Sequence, residues 1–153
     1  MDTNVLRRFR TAFFLIAALV ASAALPSTAS ACKGGDFCLY RHADRGGGEY
    51  NFTGNDGNLH NDLFAPGVKV GDNATTVHNA GHPDDPSGLI DVVAYKNPGF
   101  GGAPLCVPNG TTINNLTVKG LPGDRDTGDT VANSEPDGTW NDDISSFRWV
   151  RNC

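Results

Sequence analysis

Asn141-Asp142-Asp143-Ile144-Ser145-Ser146 gathers an amide, two carboxylates and two hydroxyls within six residues. Such a set suits a hard cation such as calcium, which takes about six to eight oxygens, better than acid–base work. The plainer reading is an Asx or Ser/Thr turn that satisfies its own backbone. Other chemistries find less support. The histidines His42, His60, His78 and His82 are scattered, and His78 and His82 lack the intervening Glu of a zinc-hydrolase helix. No Gly-x-Ser-x-Gly is present, and the Gly46–Gly48 run is followed by no Gly-Lys-Ser/Thr. Asp124, Asp126 and Asp129 lack the closing Glu of an EF-hand. An enzyme is not expected.

The acidic turn needs a strand behind it. In Phe147-Arg148-Trp149-Val150 the aromatic residues sit two apart, which places them on one face and Arg148 with Val150 on the other. The same sequence of features occurs upstream, where Gly71-Asp72-Asn73-Ala74-Thr75-Thr76 leads into Val77-His78-Asn79. Each acidic turn is preceded by a second shared element. Tyr40 to Gly47 lines up with Tyr95 to Gly102, each starting at the end of a strand-like run and closing in glycines that permit positive φ in a folded-over hairpin. The order of hairpin, acidic turn and strand is therefore repeated. Motif one runs over about 36–79 and motif two over about 89–153, with 80–88 as the linker. The second half is longer, and the extra residues fall in a loop insertion at about 121–139, rich in turn formers and poor in apolar residues.

Residues 1–31 read as a secretory signal peptide: Arg7, Arg8 and Arg10 precede an apolar run, and Ala29-Ser30-Ala31 is a small-x-small cleavage pattern. Secretion is expected, with 32–153 as a single domain and no membrane attachment unless Cys32 is lipidated. Against lipidation stand Ala29, where a larger aliphatic residue is usual, and the three cysteines it would leave over. Without the leader, 9 basic face 16 acidic residues, a net charge of −7, which argues against nucleic acid or an anionic surface as partner. Fourteen of the 16 acids are Asp, a bias toward turns. No amphipathic helical window survives, so the fold class is all-β. Cys32, Cys38, Cys106 and Cys153 in an exported chain imply two disulfides. Three pairings are open; the expected one joins Cys32 to Cys38 and Cys106 to Cys153.

Tyr95, Phe100 and Gly102, echoed by Tyr40, Arg45 and Gly47, form an aromatic-x4-aromatic-x-Gly pattern ahead of each Asn/Asp-rich turn. Over nearly the whole chain after residue 31, this resembles the βγ-crystallin Greek-key motif. The resemblance implies a double Greek-key β-sandwich and two calcium sites, with Asp72, Asn73 and Thr75 as ligands in the first turn and Asn141, Asp142, Asp143 and Ser145 in the second. Ser146 is expected to be structural. The first turn departs from the pattern at Gly71, where an acidic or amide residue is missing, and at Thr76, where Ser is preferred. No organic cofactor is expected.

The C-x5-C pair at the start and Cys106-Val107 in the second hairpin resemble the secreted βγ-crystallin-fold metalloproteinase inhibitors of actinobacteria. That resemblance implies a monomeric inhibitor of an extracellular, thermolysin-like metallopeptidase, with Cys106–Val107 as the reactive bond of a disulfide-anchored loop. Val107 would fill the enzyme's pocket for a bulky apolar side chain, and Pro104 and Pro108 would keep the loop extended. The bland alternative makes Leu105-Cys106-Val107 a core strand, and the exposure of Val107 decides between them. Two further classes are a calcium-binding structural or stress-related module, which needs only the acidic turns, and an antimicrobial, killer-toxin-like protein.

Overall fold

The computed structural model describes residues 32–64, 67–121 and 138–153. The segment 1–31, read above as a signal peptide, and most of the expected loop insertion lie outside the described residues. Nine strands are described: β1 (Asp36–His42), β2 (Gly46–Phe52), β3 (Leu63–Phe64), β4 (Val68–Lys69), β5 (Thr76–Ala80), β6 (Asp91–Asn97), β7 (Gly101–Val107), β8 (Thr112–Ile113) and β9 (Ser146–Val150). They form a four-stranded sheet in the order β2-β1-β5-β8, a three-stranded sheet in the order β7-β6-β9, and a small β3-β4 hairpin.

The two motifs exchange their third strands. β8 belongs to motif two in sequence yet pairs with β5, Val77 opposite Ile113 and His78 opposite Thr112. In return Asp56 of motif one bridges Phe147 of β9, with reciprocal backbone hydrogen bonds of 3.0 and 2.8 Å. The architecture is all-β and double Greek-key, and the two halves share one core. Phe37 and Leu39 of β1, Val77 of β5, Val92 and Ala94 of β6, Leu105 and Val107 of β7, and Phe147 of β9 point inward, the period-2 alternation of half-buried strands. Phe147 is the contact point between sheets, its ring 4.9 Å from both Phe37 and Phe52. Trp149 packs at the margin of the core, and Arg148 is exposed between them.

The folded hairpins repeat in detail. β1 and β6 each break register at the same place, between Tyr40 and His42 and between Tyr95 and Asn97. The left-handed residues correspond too: Arg45 (φ 61°) with Phe100 (φ 63°), and Gly47 (φ 76°) with Gly102 (φ 77°). A Cβ at Gly47 would come within 2.1 Å of the His42 ring, so both conformation and space demand glycine there. The hydroxyl that closes each acidic turn pins its hairpin. Ser146 Oγ donates to Asn97 O (2.6 Å) and accepts from Phe100 N (3.0 Å). Thr76 Oγ1 makes the equivalent bonds to His42 O (2.9 Å) and Arg45 N (3.5 Å), so threonine serves where serine was expected.

Both expected disulfides are present, Cys32–Cys38 and Cys106–Cys153. In the chain-entropy model the longer ring contributes about 4 kcal/mol and the shorter about 2. The first ties down the entry to β1; the second fastens residue 153 to the edge strand β7.

Candidate functional site

Cys106 and Val107 end β7, with Cys106 opposite Val93 and Val107 opposite Val92. Val107 is fully buried and Cys106 only 6% exposed. The carbonyl of Val107 accepts from Asn79 Nδ2 at 2.8 Å, and Asp91 holds the flanks by accepting from Asn109 N (2.9 Å) and Cys153 N (3.2 Å). The expectation of an exposed reactive bond therefore gives way to a strand end packed into the interior. The cause is alternation: Leu105 and Val107 point inward and only the Cys106 side chain faces the disulfide. Pro104 suits the outer edge of a sheet, where a missing N–H costs no ladder bond.

The acidic turns meet about a local pseudo-twofold. Asp72 (φ 56°) donates its N–H to Ile144 O, and Asp142 (φ 57°) donates to Ala74 O, both at 3.1 Å. Likewise Thr75 N donates to Tyr40 O and Ser145 N to Tyr95 O, both at 2.9 Å. This crossing exchanges the expected hydroxyls. Ser145 Oγ donates to Asp72 Oδ1 of the other motif at 2.6 Å, while the Ala74 carbonyl lies against the Asp142 turn.

The partners of the acidic side chains differ between turns. At the first, His60 Nε2 lies 3.2 Å from Ser145 Oγ and 3.6 Å from Asp72 Oδ2, and Asn73 Nδ2 donates to Gly71 O at 3.0 Å. At the second, Asp142 accepts from Asn141 Nδ2 at 2.7 Å, and Lys96 Nζ pairs with Asp143 Oδ2 at 3.0 Å while lying 5.2 Å over the Trp140 ring. Desolvation pushes the Asp142 carboxyl up from its ordinary value; Asp143 and Asp72 push the same way, while Asn141 and Arg41 oppose. Asn141 Oδ1 is buried without a hydrogen-bond partner.

Calcium is tested against these donors. The second turn offers the oxygens of Asn141, Asp142 and Asp143, among them an orphaned acceptor and a carboxyl crowded by like charge. That set fits a hard cation, although Lys96 already balances one carboxylate. The first turn presents an imidazole nitrogen, which calcium does not favour. Among the described residues no three His, Cys, Asp or Glu side chains converge as a metal cluster, so a cation here would lean on amide, hydroxyl and carbonyl oxygens.

Three residues of this region were not marked by sequence reasoning. Lys96 and His60 carry no motif, and their roles come from the crossing of the motifs. Asn79, aligned with Trp149 by the repeat, is fully buried and bonds across to motif two. Its only local signal is a polar residue at the end of a strand run.

The model of peptidase inhibitor family I36 matches residues 26–84, a span that takes in β1 to β5 and ends before β6. No curated protein is significantly similar in sequence. Among solved structures, one described under the evolution of the eye lens βγ-crystallin domain fold superposes with a TM-score of 0.53 at 19% identity, covering 79% of this chain and 91% of that one. A βγ-crystallin from an archaeon gives 0.48 at 15% identity over 77% of this chain and all of its own. A βγ-crystallin from Ciona intestinalis gives 0.48 at 13% over 76% of this chain, again with full coverage of its own. The first of these carries the fold. The chain therefore has the βγ-crystallin fold, and its residues 26–84 are similar to peptidase inhibitor family I36.

Proposed function

We propose that this chain is a peptidase inhibitor that acts outside the cell on a metallopeptidase of the thermolysin-like class, as a monomer. The observation that carries the reading is the match of residues 26–84 to the inhibitor family. The target class rests on the resemblance of the C-x5-C pair and the Cys106–Val107 hairpin. Two disulfides and exchanged strands give a stiff scaffold that loses little freedom on binding, as an inhibitor requires. Four large apolar side chains stand exposed among the described residues, Leu63, Leu89, Phe100 and Val118, and only Leu63 lies within the matched segment. Leu63 is 52% exposed at the base of the β3-β4 hairpin. It is the side chain there that best suits an enzyme pocket for a bulky apolar residue, a task that the buried Val107 performs only if the end of β7 opens.

Titration of the mature chain into thermolysin is expected to give inhibition at micromolar concentration or below, with a serine peptidase unaffected. Inhibition of the serine peptidase alone would keep the inhibitor and overturn the metallopeptidase. Leu63→Asp is expected to raise the inhibition constant by at least about tenfold, some 1.4 kcal/mol of contact, with the melting temperature nearly unchanged. Mass spectrometry after long incubation finds the cleaved bond. A cut at Asp62–Leu63 supports the hairpin, and a cut at Cys106–Val107 restores the disulfide-anchored loop.

A second reading, calcium binding at the Asn141–Asp143 turn, is favoured by the orphaned Asn141 Oδ1. Extracellular modules bind calcium at roughly 10⁻⁴ to 10⁻³ M. Millimolar calcium is accordingly expected to raise the melting temperature, and Asp142→Asn to abolish the rise. A wild-type melting temperature unmoved by calcium removes this reading.

A further inference from the structure

We propose that His60 is the built-in partner of the first acidic turn, filling by side chain the space between Asp72 and Ser145 that a divalent cation would need, so that this turn is closed to calcium. The repeat places Gly71 where the second turn has Asn141, and the structure gives the reason: a Cβ at 71 would lie 2.7 Å from His60 Nδ1 and 2.8 Å from His60 N. Backbone as well as ring presses on the position, so no amide or carboxylate side chain fits at 71 while His60 stays.

His60 is held there from three sides. It lies in the 3-10 turn Leu59–Asn61, whose cap residue Asn58 accepts from His60 N at 3.3 Å. Leu59 N donates to Ser145 O (2.9 Å), and Gly71 N donates to Leu59 O (2.8 Å), so the residue just before the imidazole is bonded to both motifs. The ring nitrogen Nε2 then reaches both Ser145 Oγ and Asp72 Oδ2, while Ser145 Oγ spends its proton on Asp72 Oδ1. Ser145 Oγ and Asp72 Oδ1 thus have internal hydrogen-bond partners, and Asp72 Oδ2, on a side chain 47% exposed, lies 3.6 Å from the imidazole. A cation entering would have to displace the imidazole and give up these bonds, and a hard ion does not recover that loss from a nitrogen ligand. The two turns have diverged in chemistry: glycine with histidine in one, asparagine with two carboxylates and the Lys96 ammonium in the other.

Isothermal titration with calcium chloride and thermal melts with calcium or chelator, on the full chain after residue 31, test this. In the wild type, Asp72→Asn is expected to leave the calcium response unchanged. His60→Ser is expected to gain a calcium-dependent rise in melting temperature and an added binding event, and Asp72→Asn in the His60→Ser background to remove that gain. Loss of wild-type calcium response on Asp72→Asn overturns the proposal, as does a His60→Ser protein that responds no more than the wild type. If His60→Ser does not fold, His60→Asn, which keeps a polar side chain, is read by the same criteria. A wild type with no calcium response removes the second-turn reading but leaves the His60→Ser comparison decisive.

Discussion

Val107→Asp is expected to unfold the protein at room temperature. The wild-type side chain is fully buried, opposite Val92 and within the cluster built on Phe37, Leu39 and Phe147. Removing it forfeits about 2 kcal/mol of apolar burial. The new carboxylate would sit with no donor facing it, a further penalty of several kcal/mol whether it ionises or takes up a proton. Domains of this size are stable by about 5–15 kcal/mol, so one substitution consumes most of the margin. Loss of near-UV circular dichroism and of a cooperative melt is the measurement. The same experiment judges the reactive bond. A Val107→Asp protein that melts within a few degrees of the wild type, yet no longer inhibits, would show that the end of β7 opens in solution and that Cys106–Val107 meets the enzyme. Val107→Ala is the control: it leaves a cavity without a charge and is expected to cost about 2 kcal/mol while retaining the fold.

How much of this was legible in the sequence depends on how local the cause is. The folded hairpins could be read because their cause is short-range: Gly47 and Gly102 hold a backbone conformation that other residues rarely adopt. The acidic turns could be read for the same reason; the positions of the cysteines favoured the two observed disulfides but left the other pairings open. Depth was harder. Leu105-Cys106-Val107 has no polar residue to reveal which side faces water, and an exposed loop and an edge strand give the same tripeptide. Side-chain partners across the motifs were not legible at all. Ser145 and Asp72 are 73 positions apart and His60 is 85 from Ser145, brought together only by the exchange of third strands. The repeat itself was misleading here, since it assigned the Ser145 hydroxyl to its own turn while the pseudo-twofold gives it to the other. Gly71 was the one visible trace, a missing ligand whose reason is the histidine lying on it.

Asn79→Asp is expected to be nearly as damaging as Val107→Asp, and to show its cause through pH. Asn79 is fully buried where motif one leaves β5 for the linker. Its amide donates two bonds into motif two, to Ile90 O (2.9 Å) and Val107 O (2.8 Å), and its Oδ1 accepts from Gly81 N (2.8 Å). Aspartate keeps the shape and the acceptor but loses both donors, so an anion would face two carbonyl oxygens at a fully buried position. The two unsatisfied carbonyls cost about 1–3 kcal/mol each, and the buried charge adds to them. Desolvation and the facing carbonyls both disfavour the charged form, so the carboxyl in the folded variant would titrate above its unfolded value of about 3.9. Such a group leaves stability intact below the unfolded pKa and removes it as pH rises through the folded one. The Asn79→Asp melting temperature is therefore expected to fall between pH 4 and pH 7 by more than that of the wild type, because only the protonated acid donates to one of the two carbonyls. Asn79→Ala, with no titratable group, is expected to be destabilised at both pH values alike. Equal pH slopes for Asn79→Asp and wild type would mean that the amide bonds to Ile90 and Val107 do not hold the motifs together, and the buried end of β7 would lose its principal polar tie.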